Sequence, residues 1–161
     1  MILRRFAAIL PGLRGDERGV SVIEFAFVAP IMMALTLGIT DLSRAFATRL
    51  TLQQAANRAI EKAEVGTVQS DYNYLKADAA AAAGVAETAV AVDAWVECDG
   101  TRQATFDTEC TTTQQVARYI QVTVNASFAP MFSYGPLGRN VFATASDGTV
   151  PMTGKAALRI Q

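Results

Sequence analysis

The sequence predicts an α+β protein: a long amino-terminal transmembrane helix continuing into a small domain with a second helix and a three- to four-stranded antiparallel sheet. Three observations carry this prediction. Residues 20–40 form an apolar run with few polar interruptions. Apolar side chains then recur at three- and four-residue steps, with no Gly or Pro between Thr40 and Val65. From Ala89 the period changes to two, the signature of half-buried strands.

A chain of 161 residues has room for one membrane segment and one modest globular domain. The formal net charge of -1 conceals an asymmetry, because residues 1–19 carry Arg4, Arg5, Arg14 and Arg18 against Asp16 and Glu17. The head is net positive and the remainder net acidic. No cluster of lysine and arginine lies outside the head, so nucleic acid is not an expected partner. Histidine is absent and the only cysteines are Cys98 and Cys110. An ordinary four-ligand zinc site and a histidine-activated serine or cysteine nucleophile are therefore both missing, and neither metal, cofactor nor enzymatic activity is expected. Cysteines with eleven residues between them, placed beyond a membrane segment, read as a disulfide in an oxidising compartment. Two buried free thiols are the alternative.

The head resembles a secretory n-region only at its start. Its apolar patch, Phe6 to Leu10, is short and is stopped by Pro11 and Gly12, while the main apolar run comes later and carries Glu24. From Val20 to Thr40 a helix would rise about 31 Å, matching the roughly 30 Å hydrocarbon layer. Pro30 removes one backbone donor inside it, which membrane helices tolerate. Ala34 and Gly38 would let another helix approach closely, or their spacing is chance in an alanine-rich chain. Glu24 asks for a reason: a carboxylate at the centre of a membrane helix costs about 2.5 to 3.5 kcal/mol, less near the boundary. Either it has a partner or it is solvated among headgroups.

The string Gly19-Val20-Ser21-Val22-Ile23-Glu24-Phe25, after a basic leader and before an apolar helix, resembles the prepilin peptidase recognition site of type IV pilins and pseudopilins. Extended from Arg18 through Pro30, with Gly38-Ile39-Thr40-Asp41-Leu42-Ser43-Arg44-Ala45, it is similar to the TadE-like pseudopilins of tight adherence (Tad/Flp) pilus systems. The resemblance is close over residues 18–64. It implies that the bond between Gly19 and Val20 is cut and that Glu24, in the context of Phe25 and Pro30, serves subunit recognition and assembly. A new α-amino group on Val20 would lie about 6 Å along the helix from Glu24.

The same resemblance implies a minor pilin or pseudopilin that helps initiate or cap a filament. Its partners would be other pilin-like subunits, the inner-membrane assembly platform, the prepilin peptidase and the membrane itself. Arg44, Arg49, Arg58 and Lys62 equal the four arginines before the helix, so charge does not fix orientation. The cleavage motif and the cysteine pair do, placing a single-pass protein in the bacterial inner membrane with its carboxy-terminal domain periplasmic or incorporated in the pilus. The expected division is residues 1–19 as leader, 20–41 as transmembrane helix and 42–161 as pilin-like domain. The alternative is an uncleaved single-pass protein whose outer domain binds a ligand or envelope protein.

Past the membrane, Leu42, Ala45, Leu52, Ala56, Ala59 and Ala63 mark one apolar stripe, with Gly66 as a helix stop. A helix over residues 20–65 would be about 69 Å long, a spine for the outer domain. Asp41 and Arg44 are three apart and read as part of a solvated helix face, where a pair is worth little. Ser70 or Asp71 caps a second helix carrying Leu75, Ala79, Ala82, Val85 and Ala86, ending near Glu87. Val90, Val92, Ala94 and Val96 form one face of a first strand; Ile120, Val122, Val124, Ala126 and Phe128 form one face of a second. A third is expected at about Asn140 to Ser146, then a turn at Asp147-Gly148 and a short edge segment containing Pro151. The segment Pro130 to Gly138 reads either as an interaction surface or as a lid on the core. Asn125-Ala126-Ser127 is a glycosylation triplet inside a strand, and the spacing from Gly148 to Lys155 fails as a phosphate loop.

Overall fold

The computed structural model describes residues 18–66, 71–131 and 145–160. The chain divides into two compact units, Met1–Thr40 and Asp41–Gln161. Helix α1 (Arg18–Val65) carries Pro30 within it. It ends where Gly66 donates its N–H to the Lys62 carbonyl at 3.2 Å. In the amino-terminal unit the side chains of α1 are uncovered: Phe25 and Phe27 are 70% and 74% exposed. This helix is long and apolar enough to cross a membrane.

The second unit begins with the remainder of α1 and adds α2 (Tyr74–Ala83), a 3-10 turn (Glu87–Ala89), and strands β1 (Val90–Cys98), β2 (Thr101–Arg102), β3 (Val116–Phe128) and β4 (Val150–Arg159). The strands form one antiparallel sheet in the order β2-β1-β3-β4. Registers align Val92, Val122 and Ala156 in one row and Ala94, Ile120 and Leu158 in the next. The alternation read in the sequence thus becomes a single apolar face. Against it pack Leu52, Ala56, Ala59 and Ala63 of α1 and Leu75 and Ala79 of α2.

Small residues set the distance between helix and sheet. A Cβ on Gly154 of β4 would run into the Leu52 carbonyl and the Gln53 backbone nitrogen. Glycine is required there for close approach. Beside it, the Gln53 side chain acts as a substitute strand: its Nε2 donates to the Lys155 carbonyl at 2.6 Å and its Oε1 accepts the Lys155 N–H at 3.2 Å. That covers part of an edge otherwise open to pairing, and Pro151 blunts the same strand.

Several expectations are corrected. Leu42 is not on the buried stripe but 63% exposed; Asp41 takes that place at 4% exposure. The second helix ends at Ala83 because Gly84 adopts a left-handed conformation (φ +67°) and closes it with an N–H to the Ala80 carbonyl. It therefore does not reach Glu87. Asp71 supports the preceding turn by accepting the Asn73 N–H at 2.8 Å, whereas Ser70 lies outside the described residues. Residues 140–144 of the expected third strand also lie outside them, and Ala145 and Ser146 belong to a turn. The ten residues from Val150 form the third long strand instead, longer than the short edge segment expected. The two-residue β2 was not anticipated, although Asp99 (φ +50°) and Gly100 (φ +77°) are the Asp-Gly hairpin signal that announces it.

Candidate functional site

Gly19 and Val20 lie in the first turn of α1, so the proposed scissile junction is helical backbone. Glu24, Phe25 and Pro30 follow on the same helix and all three are exposed. No hydrogen bond or ion pair reaches Glu24 among the described residues. Further along, the exposed Thr36 and Thr40 hydroxyls donate to the Met32 and Thr36 carbonyls at 2.8 and 2.9 Å. The helix thus presents apolar side chains, one carboxylate and few free donors.

In the globular unit, Asp41 holds a polar clamp that the sequence concealed. Its two carboxylate oxygens each accept the Met131 N–H at 3.0 Å, and the Arg44 Nη1 lies 3.4 Å away. Arg44 also sits over the Phe128 ring, 5.5 Å from its centroid. A buried carboxylate is tolerated when its oxygens are occupied in this way. The clamp ties the chain leaving β3 to α1. Of Pro130 to Gly138, only Pro130 and Met131 are described, and Met131 is 63% exposed.

Cys98 and Cys110 form a disulfide with Cα atoms 5.6 Å apart. The connection from β1 to β3 that contains it is fastened at its base by two hydrogen bonds of 2.9 Å, from the Asp99 N–H to the Gln115 carbonyl and from the Gln115 N–H to the Asp99 carboxylate. Phe106 anchors its middle, edge-on to Tyr72 at 5.7 Å and beneath Arg118 at 5.2 Å.

The sheet face away from the helices carries a row that the sequence reading missed. Trp95 stacks on Tyr119 at 5.3 Å, Arg102 lies over Trp95 at 4.6 Å, and Arg102 Nη2 reaches both Asp93 oxygens at 2.8 and 3.0 Å. Both ring systems sit at alternating outer positions, which was the available signal. At the turn before β4, the Asp147 carboxylate accepts the Thr149 N–H at 3.0 Å and its hydroxyl at 2.8 Å. Those bonds hold its carboxyl below the usual carboxylate range. No group of three His, Cys, Asp or Glu side chains suited to a metal ion occurs among the described residues.

The fold and these features define a class: a small α+β domain carried on a helix long and apolar enough to enter a membrane. Residues 19–60 match the family described as TadE-like protein, a match that lies wholly within α1. It points to a Tad pilus-associated, minor-pilin-like protein. No curated protein and no solved structure matches the chain.

Proposed function

We propose that this chain is a minor pilin or pseudopilin of a Tad-type pilus assembly system. The observation that carries the reading is the coincidence of the TadE-like match with an apolar helix whose side chains the rest of the unit leaves uncovered. On this reading residues 1–19 are a leader removed by prepilin peptidase after Gly19, and α1 crosses the inner membrane over about residues 20–41. The domain from residue 42 stands on the periplasmic side. Glu24 pairs with the α-amino group freed on Val20, of the same or a neighbouring subunit, and so offsets the cost of a carboxylate in the membrane. The exposed surface of α1 packs against other pilin-like subunits at the assembly platform, where the protein helps to initiate or cap the filament.

Replacing Glu24 by alanine tests the assembly role. With subunit level in the membrane unchanged, pilus output and the amount of this subunit in sheared pili should fall. Normal output and incorporation would leave the assignment without support and favour an uncleaved single-pass protein.

A further inference from the structure

The uncovered apolar surface of α1 continues past Thr40. Leu42, Phe46 and Leu50 follow four-residue steps and are 63%, 63% and 45% exposed, turned away from the stripe that meets the sheet. Met131, bound through its N–H to Asp41, adds a further 63% exposed apolar side chain. Several polar groups on this stretch are already engaged within the chain. Asp41 is buried in its clamp, and the Thr48 and Thr51 hydroxyls each donate at 3.0 Å to the carbonyls of Arg44 and Ala47.

Charge selects the occupant. Between Asp41 and Glu61 the ionised side chains of α1 are Arg44, Arg49 and Arg58, all positive. Arg49 lies on the same side of the helix as Leu42 and Phe46, whereas Arg44 is tied to Asp41 and the Phe128 ring. An apolar ridge with an arginine at its outer end and its single carboxylate buried suits acyl chains below and phosphates above.

Length agrees with this reading. Residues Phe25 to Phe46 rise about 33 Å as a helix, fitting the hydrocarbon layer as well as residues 20–40 do. That placement moves the span from about residues 20–41 to about 25–46 and leaves Glu24, with the Val20 amine it pairs with, at the opposite boundary, where a carboxylate costs least. Hydropathy alone stops the span at Asp41 because it counts Asp41 and Arg44 as solvated charges; the fold buries the first and ties the second to it.

We propose that lipid contact on α1 runs to Leu50, with Leu42, Phe46, Leu50 and Met131 seated in an anionic phospholipid leaflet and Arg49 at its phosphates. The proposal rests on the reading of α1 as a membrane-crossing helix. It makes the base of the domain a shoulder set into the membrane.

The test reconstitutes the full chain at low protein-to-lipid ratio in phosphatidylglycerol and phosphatidylcholine vesicles, with Trp95→Phe as background and brominated acyl chains as quencher. Single tryptophans are placed by Val28→Trp, Phe46→Trp, Leu50→Trp and Gln54→Trp, all at exposed positions. Emission at positions 28 and 46 should fall at least about twofold, at 50 by less, and at 54 hardly at all. Quenching at 28 with none at 46 and 50 overturns the proposal, whether water or another helix covers that face. Loss of quenching at 28 as well overturns both it and the membrane-crossing reading.

Discussion

The two halves of α1 obey the same local rules and meet opposite surroundings. Residues 22–40 are apolar on nearly all sides, Glu24 apart, and mostly exposed, whereas residues 41–65 bury one stripe against the sheet and leave the rest exposed. A helix that is apolar all round is complete only inside lipid or among other helices. One with a single stripe is complete once a sheet covers that stripe. The carboxylates repeat the contrast: Asp41 finds its partners, Met131 and Arg44, within the chain. Glu24 finds none among the described residues, and on the proposed reading its partner is made by proteolysis.

That contrast can be broken at several points. The strongest effect is expected from Leu52→Ala, which opens the contact between α1 and the sheet and should cost about 2 to 5 kcal/mol in unfolding of the detergent-solubilised chain. An equal truncation at Leu42, which is exposed and outside the core, should leave that unfolding almost unchanged. Breaking the bond between Cys98 and Cys110 releases the fastened loop and should cost about 3 kcal/mol in the chain-entropy model, read as a lower melting temperature and faster proteolysis under reductant. Asp41→Ala strands the Met131 N–H and should cost about 1 to 3 kcal/mol, with Asp41→Asn losing less because one oxygen remains. The smallest effect belongs to the exposed Asp147 turn. Its carboxyl is depressed in the folded state, so its contribution is complete above pH 3.8 and is lost as pH falls below that value. Thr149→Val removes the hydroxyl bond but keeps the backbone N–H that depresses the carboxyl most, so it should weaken that acid-dependent component without abolishing it, measured as amide exchange at Gly148.

Much of this architecture is legible in residue order. The steps from Leu52 to Ala63, the alternation from Val90 and from Ile120, and the Gly66 stop each encode a local period or terminator, and each is read without knowledge of the partner. What escapes depends on distant residues. Asp41 looks solvated until Met131, ninety residues on, supplies a donor. Gly154 looks like a weakness in a strand until α1 lies against it. Gly84 is a readable stop masked by the alanine run before it, and the Asp99-Gly100 hairpin lies in the connection between the two expected strands, where only the cysteine pair draws notice. At the candidate site, Glu24 stands out in the sequence because it violates its surroundings. The outer row of Trp95, Tyr119 and Arg102 does not, since stacking arises only through register.

The central claim is that α1 becomes an assembly helix by losing everything before Val20. Mass spectrometry of the amino terminus, after expression with the cognate prepilin peptidase, tests it most directly. A mature chain beginning at Val20, absent when the peptidase is inactive, is the predicted result. A mature product that still yields peptides containing Met1 or Arg14 would contradict it.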